Sequence, residues 1–190
     1  MTTIFAFDAA SSRASCAFLV DGELAGERLD EPRRLLANAA ELSRATGVAL
    51  RDIDALVVGT GPGSFTSIRI GLATARALGF ALEVPAAGVS SLHAYAGGRP
   101  VIDARRGEVF SEGPTVSRPQ ELAVDGQRLV GDGALRYRAV FEAAGAEVPP
   151  DDDPRHQPAA ALLVALAGRY EDAALLEPLY VRRPDAVAPR

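Results

Sequence analysis

Short apolar runs separated by polar turns fill the first half of the chain. They predict strands at residues 4–8, 14–20, 23–28, 56–58 and 86–89. Asp21-Gly22 is typical of a hairpin turn between the second and third of these strands. Ser90 follows the fifth strand and predicts a short helix that contains Leu92 and Tyr95.

Two longer stretches between these strands have helical periodicity. Pro32 predicts the start of the first helix and Gly47 its end, with apolar side chains facing inward or toward a partner at Leu35, Leu36, Ala39, Ala40 and Leu42. Ser64 and Thr66 are good N-caps for a second helix that reaches about Phe80. The order βββαβαβα predicts a mixed sheet with helices on its faces.

The second helix carries small residues at regular spacing. Gly71, Ala75 and Gly79 recur every four residues, and Ala73 and Ala77 are expected to extend the same surface. A helix face without side chains lets another backbone approach closely. That backbone belongs either to another molecule or to the chain's own sheet.

Gly97-Gly98-Arg99-Pro100 predicts a boundary between one domain at 1–98 and a smaller one at 99–190. The pattern beyond it is weaker. Strands are predicted at 101–103, 108–111, 129–130 and 179–181, helices at 134–144 and 159–167, and a loop at 149–158.

Composition narrows the function classes. The chain has 190 residues, 48% of them hydrophobic, and a net charge of −5, so it is predicted to be globular and to bind nucleic acid poorly by itself. All 20 basic residues are arginine, so a catalytic Schiff-base lysine and a phosphate-binding loop with lysine are excluded. No leader or membrane-length apolar run is apparent. The single cysteine, Cys16, cannot form an internal disulfide, and its place in an apolar strand predicts a buried small hydrophobe rather than a nucleophile. We therefore expect a cytoplasmic protein without membrane contact.

The turn between the 56–58 strand and the second helix is the first candidate for chemistry. Gly59, Gly61 and Gly63 alternate along it, with Pro62 before the last, and a helix N-terminus attracts anions. The spacing matches neither a dinucleotide fingerprint nor a phosphate-binding loop with lysine. A turn rich in glycine for packing is favoured over a phosphate site.

Other chemical residues have plain structural explanations. His93 and His156 are far apart and fit no metal-binding motif, so no zinc or iron site is expected. Asp103 flanks a turn beside Arg105, which favours a local ion pair. Arg69 and Arg76 are either solvated side chains or the polar rim of a helix–helix interface.

Five sequence blocks together resemble the TsaB family, the bacterial accessory subunits for threonylcarbamoyladenosine synthesis on tRNA. They are Asp8 after the first strand, GTGPGSFTSIRIGLA at 59–73, GVSSL at 88–92, IDARRGEVF at 102–110 and EPLYVR at 177–182. The resemblance implies an actin-like ATPase (RNase H-like) α/β fold of two lobes, each with a mixed sheet flanked by helices, the second lobe being reduced.

The resemblance also implies a subunit without catalytic residues, cofactor or metal of its own. It would dimerise through a helical bundle with a catalytic paralogue, TsaD, and be joined by the ATPase TsaE. It would contact tRNA only indirectly, while the complex uses ATP. A monomer and a homodimer are the two alternatives for the chain when it is alone. The expected partner interface comprises Arg33, Leu36, Ala40, Arg69, Leu72, Ala73, Arg76 and Ala77.

Actin-like ATPases hold a metal–phosphate group at the place of Asp8, Ser11 and Ser12, so Asp8, Ser11, Gly61 and Gly63 are the candidate nucleotide contacts. A strand-end role for Asp8, accepting hydrogen bonds from nearby turn amides, is favoured. Two enzyme classes remain as alternatives: a phosphotransferase or ATPase of the actin-like class, and a metallopeptidase. The chain lacks the metal ligands that a metallopeptidase needs. Its reduced second lobe argues against the phosphotransferase alternative.

Overall fold

The computed structural model describes residues 1–181, and its first sheet has five strands in the order β3-β2-β1-β4-β5. They are β1 (Thr3–Asp8), β2 (Ala14–Val20), β3 (Glu23–Asp30), β4 (Ala55–Gly59) and β5 (Ala86–Val89). β1 pairs antiparallel with β2 and parallel with β4, so the sheet is mixed as predicted. Asp21 and Gly22 both have positive φ, which makes the tight β2–β3 hairpin.

Two helices, α1 (Leu35–Thr46) and α2 (Phe65–Leu82), cover one face of this sheet. The turn Pro32–Arg34 leads into α1, and Gly47 ends it in the left-handed conformation that glycine adopts without strain. The Ser64 hydroxyl accepts a hydrogen bond from the Ser67 amide and caps α2. Both predicted helices are therefore confirmed.

The second sheet has four strands in the order β8-β7-β6-β9. They are β6 (Arg99–Arg105), β7 (Glu108–Ser111), β8 (Thr115–Ser117) and β9 (Leu129–Val130). β6 is antiparallel to β7 and parallel to β9, so this sheet is also mixed. Three short helices follow: α3 (Asp132–Arg136), α4 (Arg138–Ala143) and α5 (Ala161–Val164).

The end of the described chain returns to the first sheet. Leu163 of α5 is buried against the face opposite α1 and α2, with Ala6 and Val57. Ala173 and Leu176 join the core on the α1/α2 side. Residues after 159 thus complete the core around the first sheet, while the division at 98/99 stays a prediction.

Three local predictions in the second half are wrong, and one strand is missed. The expected helix at 134–144 is divided into α3 and α4 at Tyr137, and the one at 159–167 is reduced to the single turn of α5. Residues 179–181 form no strand, since this segment reaches the sheet through one hydrogen bond, from the Leu179 amide to the Thr60 oxygen. β8 was not predicted, because its three residues carry too short a pattern.

Within residues 1–181, no helix has the length and apolar character needed to cross a membrane.

Candidate functional site

A cleft of about 700 Å³ lies where the turns after β1 and β4 meet the β6–β7 hairpin. Its polar lining comes from the two turns, the start of α2, the β6–β7 hairpin and Asp132, and its aromatic lining from Phe65, Phe110 and Tyr180. Ser11 and Gly63, two of the four candidate nucleotide contacts, line this cleft. Asp8 and Gly61 lie behind it, in contact with other parts of the chain.

The glycine turn is built for close packing. A Cβ at Gly63 would collide with the carbonyl oxygen of Ala10, which accepts the Ser64 amide at 2.7 Å. Gly61 has φ +108°, donates its amide to the Ser91 hydroxyl at 2.9 Å, and has no room for a Cβ beside Ile68. The packing interpretation of these glycines is therefore supported at both positions.

Asp8 is 1% exposed and faces Gly59 and Ser91 rather than the cleft. Its Oδ2 accepts the Ala10 amide at 3.2 Å, which confirms the predicted strand-end role. Burial raises the pKa of the Asp8 carboxyl from 3.8 to about 6, against the opposing effects of the Ser91 hydroxyl and the Ala10 amide. A carboxyl in this position stabilises the turn and is poorly placed to reach a ligand in the cleft.

Ser12 faces the second sheet across the cleft. Its hydroxyl and its amide both donate to Asp132 Oδ2, at 3.1 and 3.4 Å. Asp132 Oδ1 accepts the Asp103 amide at 2.9 Å. The two Ser12 donors that face the cleft are thus engaged by a carboxylate of the same chain.

Asp103 makes the predicted local ion pair. Its Oδ2 lies 3.2 Å from Arg105 Nη1 and 3.7 Å from Arg136 Nε, and its Oδ1 accepts the Arg105 amide at 2.9 Å. Arg105 has φ +62°, which sets the tight turn between β6 and β7. The pair fixes the hairpin that forms one wall of the cleft.

The histidines and the cysteine are structural or exposed. His156 is 2% exposed; its Nδ1 accepts the Gly131 amide and its Nε2 donates to the Pro149 oxygen, both at 3.1 Å. His93 is exposed. Cys16 is buried as predicted, and burial raises the pKa of its thiol to about 12. Among the described residues, no three His, Cys, Asp or Glu side chains lie close enough to hold a metal ion.

The small residues of α2 lie on two separate faces, which corrects the prediction of one surface. Gly71, Ala75 and Gly79 are buried against the chain itself, next to Ala9 at one end and Ala173 at the other. Ala73 and Ala77 are exposed. Two positions along a helix turn the side chain through about 200°, so Ala73 cannot share the face of Gly71.

Leu72 must be removed from the predicted interface. It is 4% exposed and packs in the core beneath α2, because it adjoins Gly71 on the inward side of the helix. The other predicted interface positions are exposed or half-buried on α1, on α2 and in the turn that precedes α1. These are Arg33, Leu36, Ala40, Arg69, Ala73, Arg76 and Ala77.

Arg69 and Arg76 hold the last described segment of the chain. Arg69 lies 3.8 Å above the Phe65 ring and donates from Nε to the Tyr180 hydroxyl at 3.1 Å. Phe65 and Tyr180 stack with ring centroids 5.2 Å apart. Arg76 Nη2 donates to the Leu176 oxygen at 2.8 Å. These contacts serve the chain's own fold, and the choice between solvated side chains and an interface rim stays open.

We call the outward surface of the two long helices the α1/α2 face, defined by Leu36 and Ala40 of α1 and by Ala73, Ala77 and Phe80 of α2. Leu36 is 54% exposed and Phe80 is 89% exposed, so the face presents two large apolar side chains to solvent. α1 and α2 contact each other and pack their buried residues on the same side of the first sheet. The exposed residues of both helices therefore lie on the side that faces away from the sheet. This face and the cleft are the candidate sites of the molecule.

Known proteins share this architecture. A family model described as TsaD, tRNA N6-adenosine threonylcarbamoyltransferase, matches residues 31–123. An uncharacterized protein of Mycobacterium tuberculosis is 34% identical over 98% of this chain and 94% of its own length. The tRNA threonylcarbamoyladenosine biosynthesis protein TsaB of Escherichia coli is 37% identical over 56% of this chain and 52% of its own length. The chain belongs to the TsaB family.

The solved structure of YeaZ from Pseudomonas aeruginosa agrees with this assignment over the whole fold. It matches with a TM-score of 0.78 and 27% identity, covering 95% of this chain and 100% of that one. The predicted actin-like, RNase H-like α/β class is thereby confirmed. Arg182, the last residue of the TsaB-like 177–182 block, lies outside the described residues.

Sequence reasoning missed three contributors to these sites. Phe80 is expected only as the end of α2, yet its spacing of seven from Ala73 puts both residues on the same side of the helix. Asp132 gave no local signal, because its contact with Ser12 joins residues 120 positions apart. Tyr180 was assigned to a strand, and only the structure places its ring against Phe65.

Proposed function

We propose that this TsaB-family chain is a non-catalytic subunit in the biosynthesis of threonylcarbamoyladenosine on tRNA, and that it acts by docking its α1/α2 face on a TsaD-like transferase. The observation that carries the proposal is the exposure of this face in a chain of that family. The wider assembly would include a TsaE-like ATPase, with ATP used by the complex, and would work in the cytoplasm.

The chemistry of the face supports docking. Leu36 and Phe80 offer apolar area that would leave water on association, at about 25 cal/mol per Å². Ala73 and Ala77 leave the middle of α2 flat, so that a partner helix can approach closely. Two helices from each molecule would form a four-helix contact. In the absence of the transferase, a second copy of the chain would occupy the same face and give a homodimer.

Two features support an accessory role rather than catalysis. Asp8 is buried against Gly59 and Ser91, and the Ser12 donors are engaged by Asp132. The chain would therefore act on its partner by binding the competent arrangement of that subunit more tightly than others. The net charge of −5 and the absence of lysine favour tRNA contacts through the partner rather than through this chain.

The docking is tested with Ala73→Arg and Leu36→Arg, two variants at exposed positions that should fold. We expect both to lose homodimerisation in light scattering and co-purification with the TsaD-like transferase of the same organism. Leu166→Arg is the matched control, because Leu166 is exposed and follows α5, which packs on the opposite face of the first sheet. If both α1/α2 variants associate like the parent, the face has been misplaced.

The function is tested by reconstituting threonylcarbamoyl transfer to tRNA from purified components. Product should require this chain and should be lost with Ala73→Arg, whereas Cys16→Ser and His93→Ala should retain it. The isolated chain should hydrolyse neither ATP nor peptides. Full modification without the chain, or a steady ATPase rate of roughly one per second or more that disappears in Asp8→Ala, would contradict the proposal.

A further inference from the structure

Three hydrogen-bond donors surround the Asp132 carboxylate from two parts of the molecule. Ser12 contributes its hydroxyl and its amide to Oδ2, and Asp103 contributes its amide to Oδ1. Converging N–H and O–H donors of this kind bind oxyanions, and a phosphate offers the same acceptors as a carboxylate. The group that fills this site therefore comes from the chain itself.

The position of Asp132 is fixed by its neighbours. Gly131, with φ +104°, lies against the Val101 oxygen, and a Cβ at Gly133 would lie 2.7 Å from the carbonyl carbon of Ile102. Two flanking glycines thus let this segment lie directly on β6. The Gly131 amide is also bound by His156 Nδ1 at 3.1 Å. Asp132 is held at the Asp103 amide by packing on both sides.

The surroundings of the site suit an anion. Ser64 and Thr66, at the start of the 18-residue helix α2, line the same cleft, and the positive end of the helix dipole lies there. Arg105 also lines it and neutralises the Asp103 carboxylate together with Arg136. The space of about 700 Å³ would admit a phosphate-bearing ligand if the Ser12 donors were available.

We propose that Ser12 and the Asp103 amide form a site for an oxyanion such as phosphate, and that the Asp132 carboxylate of the chain itself occupies this site. Asp132 thereby blocks the binding of an external anion in this part of the cleft. An external phosphate would have to displace a negative group that is already hydrogen-bonded and held by Gly131 and Gly133. The inference goes beyond the proposed function, because it concerns the cleft and not the α1/α2 face. The two can fail separately.

Inorganic phosphate is the probe, followed by isothermal titration calorimetry at neutral pH and low salt. The parent chain should not bind it at millimolar concentration, whereas Asp132→Ala should. Ser12→Ala added to Asp132→Ala should weaken that binding roughly tenfold, the effect of losing one hydrogen bond to a charged group. Asp52→Ala is the control for net charge: it removes an exposed carboxylate next to Arg51, outside the cleft, and should not bind phosphate.

Asp132→Asn keeps the size of the side chain and is the second variant in case Asp132→Ala does not fold. Its amide cannot accept all three donors, so it should bind phosphate more weakly than Asp132→Ala but measurably. The proposal is overturned if the parent binds phosphate as well as the variants, or if folded Asp132→Ala and Asp132→Asn both fail to bind it. Binding to Asp132→Ala that is unaffected by Ser12→Ala would overturn it too, since the site would then lie elsewhere.

Discussion

The carbonyl oxygen of Ala10 accepts the amide of Ser64 at 2.7 Å, which joins the turn after β1 to the N-cap of α2. The contact is possible only because Gly63 has no side chain: a Cβ there would collide with the same oxygen. This hydrogen bond between backbone groups joins the two turns that line the cleft.

Gly63→Ala should therefore destabilise the fold by about 1–3 kcal/mol, the usual cost of overpacking. Urea denaturation followed by circular dichroism measures the change. Gly168→Ala is the matched control, because Gly168 has open space around its Cβ position, and it should change stability by less than about 0.5 kcal/mol. Equal stability of the two variants would show that the Ala10–Ser64 contact is not closely constrained.

Asp8 should make stability depend on pH. Because its pKa is raised from 3.8 to about 6, the native state between these pH values holds a proton that the unfolded chain has lost. Stability contributed by the neutral carboxyl is present at low pH and is lost as the pH rises through this window. Asp8→Asn removes the titration and should be more stable than the parent at pH 7, by up to about 3 kcal/mol.

The measurement for Asp8 is the midpoint of thermal unfolding of parent and Asp8→Asn at several pH values. The two curves should coincide near pH 4 and diverge as the pH rises to about 6. A difference that is constant across this range would mean that Asp8 does not titrate as its burial requires.

Gly71 and Gly79 share the buried face of α2, yet alanine should have opposite effects at these positions. A Cβ at Gly71 would lie 3.6 Å from Ala9 Cβ, an ordinary contact, so Gly71→Ala should stabilise the helix by about 0.5–1 kcal/mol. A Cβ at Gly79 would lie 2.6 Å from Ala173 Cβ, so Gly79→Ala should destabilise the fold. Thermal unfolding of the two variants side by side checks the sign, and a change in the same direction would contradict this packing.

His156 should be important for stability and His93 should not. His156→Ala leaves the Gly131 amide and the Pro149 oxygen without partners in a buried site, at a cost of about 2–4 kcal/mol. His93→Ala alters an exposed side chain and should be neutral. Chemical denaturation distinguishes them, and a neutral His156→Ala would mean that water replaces the imidazole without loss.

The sequence predicted the elements whose signals are local. Gly47, Ser64 and Asp21-Gly22 each mark a boundary through their own backbone chemistry, and all three boundaries are where they were expected. The spacing of small residues along the chain predicts one surface on α2, although positions 71 and 73 lie about 200° apart around the helix. The packing of helix faces depends on neighbours that no local pattern contains.

The candidate site shows the same limit more strongly. The resemblance to actin-like ATPases and the glycine turn make Asp8, Ser11, Gly61 and Gly63 the candidate nucleotide contacts, and of these four Ser11 and Gly63 line the cleft. The contact that fills the cleft, between Ser12 and Asp132, depends on the way two sheets are brought together. Contacts of this kind arise from tertiary packing and give no signal in the spacing of residues along the sequence.

The return of the chain to its first sheet affects the order in which the protein can fold during synthesis. When Val89 has left the ribosome, all five strands of that sheet and both helices of its α1/α2 side are present. Leu163, Ala173 and Leu176, which complete the cover on its two faces, are still to be made. The nascent amino-terminal half therefore exposes apolar surface until the last turns emerge, a state that invites chaperone binding.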